Sequence, residues 1–103
     1  MDLSRVSGLL GLCRRAGVME LGADPALKLV RRGQAAFVLM DETASANTQK
    51  ALKNAAVSHG AALYVLPGGL LDRTTGSEGR MAAALKKGTL SDRLRTLLDS
   101  DQA

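Results

Sequence analysis

The stretch that decides the fold is Ala35-Ala36-Phe37-Val38-Leu39-Met40, which is followed at once by the acidic pair Asp41-Glu42. A short, unbroken apolar run of this kind is typical of a strand that is buried on both faces of a sheet. We therefore predict a central strand over 35–40. Such a strand needs helices on both sides of its sheet, so the run indicates an α/β protein.

Upstream of this strand the apolar residues follow helical spacing. The face of a first helix is formed by Leu3, Val6, Leu9, Leu10 and Cys13. We expect Asp2 or Ser4 to cap this helix and Gly17 to end it. After a brief strand over 18–21, a second helix is predicted to begin at Asp24-Pro25. There Asp24 is the expected N-cap, Pro25 suits the first helical position, and Gly33 ends the helix.

Downstream, Ser45 or Asn47 is the expected cap of a third helix that ends at Gly60, and Ala62–Leu66 is predicted to be a second buried strand. Pro67-Gly68-Gly69 precedes a short helical turn over 70–75. The last helix carries an apolar face formed by Leu90, Leu94, Leu97 and Leu98.

The segment 78–87 is open from its residues alone. Its Met81-Ala82-Ala83-Ala84-Leu85 core has the composition of a helix, but an alanine-rich strand packed between helices also fits. The alternation of helices and strands predicts a layered sheet with helices on both faces. We find no linker, repeat or low-complexity tract, so residues 1–103 are expected to form one domain.

The charge pattern favours a polyanionic partner, with membrane surfaces second. Lys and Arg total 14 against 10 Asp and Glu, which gives a net charge of +4. The cations are clustered in the adjacent pairs Arg14-Arg15, Arg31-Arg32 and Lys86-Lys87. No apolar run approaches the roughly 20 residues that span a bilayer, and the first residues lack the layout of a signal peptide. A cytoplasmic location is therefore expected.

The sequence offers little for catalysis. With one cysteine and one histidine, the chain has no internal disulfide and no ordinary zinc site. Cys13 lies on the apolar face of the first helix, and His59 is expected at the exposed end of the third. Asp41-Glu42 follows a buried strand, where α/β enzymes often place carboxylates, but adjacent acids are as often solvated loop residues. We therefore predict no enzyme, no cofactor and no metal.

The segment Gly22–Lys28 is the best candidate for ligand binding. A glycine just before a helix start permits close approach of the backbone, and free amides there favour a phosphate or a base edge. Lys28 lies one turn beyond Asp24, on the same side of the helix, and Arg31 and Arg32 follow a further turn along. Cations at a helix end also stabilise the helix dipole without any ligand, so the two explanations stand side by side.

Several motifs together resemble one known family. They are Leu9–Gly17, Gly22, Lys28, Arg32–Ala35, Phe37–Ser45, Asn47-Thr48, Gly76–Met81 and Leu94–Leu98. In this order and spacing they resemble the bacterial YlxQ-like proteins, within the superfamily of kink-turn-binding ribosomal proteins. The resemblance implies a three-layer α/β/α sandwich around a mixed four-stranded sheet, in which Met81–Leu85 is a strand. It implies neither a cofactor nor a reaction.

The resemblance also implies an RNA-binding surface made of three neighbouring parts. The first is the start of the second helix, with Gly22, Asp24, Lys28, Arg31 and Arg32. The second is the loop after the central strand, with Glu42, Thr43 and Ser45. The third is the loop before the last strand, with Gly76, Ser77, Glu78, Gly79 and Arg80.

The implied partner is a structured RNA of the translation apparatus, such as ribosomal RNA. Where the ribosomal members carry Asn-Glu to read tandem G·A pairs, this chain has Asp24-Pro25. An ionised aspartate only accepts hydrogen bonds, whereas asparagine also donates them. The rival hypothesis is a protein–protein adapter that docks on ribosomal or transcription proteins. The small number of aromatic residues argues mildly against it.

Overall fold

The computed structural model describes residues 2–100, and it alternates helices and strands as the sequence predicts. In chain order the elements are α1 (Leu3–Arg15), β1 (Met19–Leu21), α2 (Ala23–Arg31), β2 (Ala35–Asp41), α3 (Ala46–Ser58), β3 (Ala62–Leu66), α4 (Leu70–Thr75), β4 (Ala82–Lys86) and α5 (Thr89–Ser100). No helix within 2–100 is long and apolar enough to cross a membrane.

The four strands form one mixed sheet in the order β1-β4-β2-β3. β2 runs parallel to β3, and β4 runs antiparallel to both of its neighbours, β1 and β2. The last strand in sequence is therefore inserted between the first two. Because of these directions, β1, β2 and β3 all end at the edge of the sheet where β4 begins.

Side chains that alternate along the strands build a hydrophobic core on each face of the sheet. On one face Phe37, Leu39, Ala83 and Leu85 pack with buried residues of α1, α4 and α5. On the other face Val38, Met40, Ala82 and Ala84 pack with buried residues of α2 and α3. This is the three-layer arrangement that the resemblance implies, so the predicted fold class is confirmed.

The open question over 78–87 is resolved in favour of a strand. Ala82, Ala83, Ala84 and Leu85 are all fully buried, two towards each helical layer. Their helix-forming composition is overridden because the small side chains allow helices to pack closely on both faces of the strand. An alanine-rich centre of the sheet thus keeps the two layers close together.

Two of the predicted helix starts are confirmed. The carboxylate of Asp2 accepts a hydrogen bond from the Arg5 N–H at 3.2 Å, and the hydroxyl of Ser45 accepts one from the Thr48 N–H at 3.2 Å. Both are side-chain N-caps of the ordinary kind. Gly17 and Gly60 take positive φ directly after α1 and α3, which explains why each helix ends there.

Two other predictions are wrong. α2 begins one turn earlier than expected, because Gly22 is its N-cap at φ 111° and Asp24 makes no capping hydrogen bond. Pro25 is tolerated inside the first turn because an N–H at that position has no intrahelical partner. β3 is an edge strand with only Leu66 fully buried and Val65 48% exposed, since the alternation of its residues does not distinguish an edge from a centre.

Candidate functional site

The three sequence-predicted segments lie close together at one edge of the sheet, which we call the loop edge. It carries Gly22 after β1, Glu42–Ser45 after β2, Pro67–Gly69 after β3 and Gly76–Met81 before β4. Backbone hydrogen bonds join these segments. The Gly22 N–H donates to the Ala82 carbonyl, the Asp41 N–H to the Met81 carbonyl, and the Glu42 N–H to the Leu66 carbonyl, at 2.8–3.0 Å.

Asp41 organises the loop after β2. It is 1% exposed, and its carboxylate accepts hydrogen bonds from the N–H and the hydroxyl of Thr43 at 2.8 and 2.6 Å and from the Gly69 N–H at 2.8 Å. Burial alone raises the pKa of Asp41, but these hydrogen bonds, with the nearby charge of Arg73, outweigh it and hold the pKa below its ordinary value. Asp41 therefore stays ionised and ties the loop after β2 to the loop after β3.

Glu42 and Thr43 reinforce the same connection. The Glu42 carboxylate accepts a hydrogen bond from the Gly68 N–H at 2.8 Å. A Cβ on Gly68 would lie 3.1 Å from the Thr43 methyl group, so the close contact between the two loops requires glycine there. Ser45 is committed as the cap of α3. All three side chains are exposed, but each already has a structural partner in this loop.

Asp72, on α4, organises the loop before β4. Its carboxylate accepts hydrogen bonds from the Ser77 hydroxyl at 3.2 Å, the Gly79 N–H at 2.8 Å and the Arg80 N–H at 2.9 Å. Gly76 and Gly79 both take positive φ, so the loop turns sharply at each. This geometry fixes the backbone of Arg80 and leaves the side chains of Glu78 and Arg80 exposed.

Arg80 lies beside the start of α2. A Cβ placed on Gly22 would lie 3.3 Å from Nη1 of Arg80 and 3.4 Å from Cδ of Pro25. Glycine is required at 22 both for this space and for its positive φ. The guanidinium group of Arg80 is thereby brought over the first turn of α2, where the helix dipole and unpaired amides also attract anions.

Two further cations extend this surface along α2. Pro25, Lys28 and Arg32 line one shallow depression of about 190 Å³, together with Glu20 of β1. Pro25 therefore links Gly22 and Arg80 to Lys28 and Arg32. We call this continuous surface of Arg80, Gly22, Pro25, Lys28 and Arg32 the basic strip. Lys28, Arg32 and Arg80 are exposed.

Two sequence-predicted residues lie outside the basic strip. Asp24 lines a different depression, between α2 and the start of α3, with Leu27, Asn47 and Thr48. Arg31 faces the end of α3, where it lines a depression with Asn54, Ser58 and His59. Asp24 and Lys28 thus lie on different flanks of α2, although their spacing predicts one side. The pair Arg31-Arg32 is likewise divided between the two flanks.

The residues considered for catalysis are accounted for by the fold. Cys13 is fully buried, and burial raises the pKa of its thiol, which leaves it a poor nucleophile. His59 is exposed at the end of α3, and its Nδ1 lies 3.1 Å from the Ala55 carbonyl. Among residues 2–100 no group of histidine, cysteine, aspartate and glutamate side chains has the arrangement of a metal site.

Sequence reasoning missed the roles of Asp41 and Asp72. Asp41 was weighed only as a catalytic or a solvated residue, and Asp72 only as a departure from the ribosomal pattern. One signal was available for each. Asp41-x-Thr43 is the pattern of a side chain that accepts from the backbone two residues on, and Asp72 stands close before a loop with two glycines.

Comparison with known proteins identifies the family. No family model matches the sequence. The chain is 33% identical over 97 residues to "RNA-binding protein YlxQ" of Bacillus subtilis (strain 168), and the match covers 88% of this chain and 92% of that protein. The chain belongs to the YlxQ family.

Solved structures agree with this assignment to the YlxQ family. A protein of unknown function from Bacillus halodurans C superposes with a TM-score of 0.83 at 28% identity, over 91% of this chain and 96% of the other. The Giardia lamblia 15.5kD RNA binding protein superposes with a TM-score of 0.76 at 21% identity, over 97% of this chain and 88% of the other. The second likeness is one of fold. The sequence-based resemblance to YlxQ-like proteins is confirmed.

Proposed function

We propose that this protein binds structured RNA, without catalysing a reaction, through the basic strip and the adjoining loop edge. The observation that carries the proposal is the position of Arg80 over the first turn of α2, in one surface with Lys28 and Arg32. Cations beside free helix amides suit a phosphate backbone. The name of the Bacillus subtilis relative, an RNA-binding protein, supports the same ligand.

Each part of the surface has its own role in this proposal. Lys28, Arg32 and Arg80 neutralise phosphates, and Gly22 allows the RNA backbone to approach α2. The exposed loops at Glu42–Ser45 and Gly76–Arg80 contact the bases or sugars on either side, with Asp24 and Arg31 at the margin near α3. We further propose that the RNA belongs to the translation apparatus, such as ribosomal RNA, and that the protein acts in the cytoplasm.

The direct test is a salt titration with a labelled RNA hairpin that contains an internal loop with tandem G·A pairs. A continuous duplex of the same length is the comparison RNA. We expect affinity to fall by about one decade per decade of salt for each phosphate neutralised. Absence of binding to either RNA at low salt would contradict the proposal.

Charge reversal then locates the surface. We expect Lys28→Glu with Arg32→Glu to weaken RNA binding by at least about tenfold and to reduce the salt slope by about two. The matched control is Lys53→Glu with Lys87→Glu, which changes the net charge equally. Lys53 lies on α3 and Lys87 after the far end of β4, and both are exposed. Equal losses in the two double variants would indicate only a nonspecific charge effect.

The role of Asp24 in choosing among RNAs has a separate test. An ionised carboxylate at this position repels phosphate and accepts hydrogen bonds but donates none. We expect Asp24→Asn to strengthen binding to the hairpin with G·A pairs and to change binding to the continuous duplex much less. The ratio of the two dissociation constants is the measurement, and an unchanged ratio would remove Asp24 from the contact surface.

A further inference from the structure

A second surface lies in the helical layer opposite α2 and α3. Residues of α1 and α5 line a groove of about 650 Å³ between the two helices. Its floor is formed by Gly8, Leu9, Leu12 and Leu97, and Leu12 is 42% exposed. An exposed apolar floor of this kind offers little to a phosphate backbone, so the basic strip does not explain it.

The rim of this α1/α5 groove is strongly basic. Arg5, Arg15 and Arg93 line it, and no aspartate or glutamate of the described chain does. Arg15 belongs to the pair Arg14-Arg15 that the sequence singles out and that the loop edge does not use. Apolar contact at the floor combined with cations at the rim fits a ligand that is apolar along one face and acidic beside it.

Gly8 supports the interpretation that the groove receives a ligand. It lies inside α1 without positive φ, and a Cβ placed on it would meet nothing within 4 Å. The fold therefore does not require glycine there, yet glycine within a helix costs about 0.5–1 kcal/mol relative to alanine. Its visible effect is to leave the floor of the groove open.

The shape of the groove fits a helix. The lining residues of α1 are Arg5, Gly8, Leu9, Leu12 and Arg15, whose spacing defines one helical face over about three turns. We propose that the α1/α5 groove binds an acidic amphipathic helix of a partner protein. Leucine-sized side chains of that helix pack on the floor, and its Asp or Glu side chains pair with the three arginines. The protein then binds a protein on one layer and RNA at the other.

The probe is a displayed library of helical peptides about 16 residues long, randomised on one face and selected on the intact protein. We expect the selected peptides to combine apolar residues at helical spacing with flanking Asp or Glu. Fluorescence anisotropy of a selected peptide then gives its dissociation constant. Selection of no sequence, or of apolar sequences without acids, would overturn the proposal.

Three variants test the position of the peptide. Gly8→Leu fills the floor without an internal clash and is expected to weaken peptide binding by at least about tenfold, as is Arg5→Glu with Arg93→Glu. Gly8→Ala is the control for helix stability, since it adds only a methyl group. RNA binding should be unchanged in all three. Peptide binding that survives both Gly8→Leu and the charge reversal would overturn the proposal.

Other occupants of the groove have distinct signatures. If RNA binding falls with Arg5→Glu and Arg93→Glu as much as with changes in the basic strip, the groove belongs to the RNA surface. If sedimentation shows a dimer that Gly8→Leu dissociates, the occupant is a second copy of this chain. If anionic phosphatidylglycerol vesicles bind and the selected peptides do not, the groove is a membrane contact. Each of these results would replace the partner helix.

Discussion

The two loops that flank the basic strip are built on the same device but differ in how deeply it is buried. In each, one aspartate accepts three hydrogen bonds and fixes the loop backbone. Asp41 is the last residue of a central strand and is 1% exposed, whereas Asp72 lies on the six-residue helix α4 and is half-buried. One anchor is held by the sheet and the other by a short helix near the surface.

The difference divides the loop edge into a rigid part and an adaptable part. A buried carboxylate with all its partners in place is costly to disturb, because each freed N–H loses its partner away from water. A half-buried one can exchange its partners for water at much lower cost. We therefore expect the loop after β2 to act as a fixed support and the loop 76–80 to adjust to the RNA.

Removing the buried anchor should have the largest effect. We expect Asp41→Ala to lower the free energy of unfolding by about 2–4 kcal/mol, since three donors lose a charged acceptor. Urea denaturation measures the change. If this variant does not fold, Asp41→Asn keeps the shape and should still destabilise. A loss no greater than that of Asp72→Ala would break the proposed division.

Removing the outer anchor should cost less stability but more function. We expect Asp72→Ala to lower the free energy of unfolding by about 1–2 kcal/mol, in the range of a lost helix cap. Hydrogen exchange should become faster at the Gly79 and Arg80 amides while the amide of Thr43 stays protected. Because Arg80 is then no longer positioned, RNA binding should weaken several-fold. Unchanged exchange in this loop would contradict the role given to Asp72.

A single bond within the buried anchor should matter less again. We expect Thr43→Val to cost about 1 kcal/mol, because it removes the hydroxyl bond to Asp41 but keeps the side-chain shape and the backbone N–H bond. Denaturation of Thr43→Val, Asp41→Asn and the double variant forms a cycle that measures the coupling. Additive effects would show that Thr43 does not act through Asp41.

The smallest effect should be that of pH. Because the pKa of Asp41 is lower in the folded state, its contribution to stability is complete above the unfolded pKa and is lost as pH falls through the folded one. We expect the difference in unfolding free energy between the wild type and Asp41→Asn to be constant near neutral pH and to narrow below about pH 4. A difference that stays constant in acid would contradict this.

Most of the fold could be predicted from the sequence because its signals are local. The run 35–40, the cap at Ser45 and the glycines at 17 and 60 act within a few residues of the chain, and each prediction holds. β4 could not be derived from its own residues. Its alanines form a strand only because β1 and β2 lie on either side of it, and that is a long-range fact.

The site was predictable in part for the same reason. The family motifs pointed to the three segments that the sheet brings to the loop edge, but helical spacing alone misplaced Asp24 relative to Lys28. Which flank of α2 a residue occupies depends on where β1 and α3 pack against it. The anchoring role of Asp72 depends on the path of a loop that no periodicity describes.

The strand order also has a consequence for the newborn chain. β1 and β2 are synthesised early, but they are not neighbours in the sheet, and the gap between them is closed only by Ala82–Lys86. Until that strand has left the ribosome, Gly22 lacks the carbonyl to which it donates and Arg80 is not yet beside it. An incomplete chain therefore cannot engage RNA through this surface, and the ability to do so arises in one step near the end of translation.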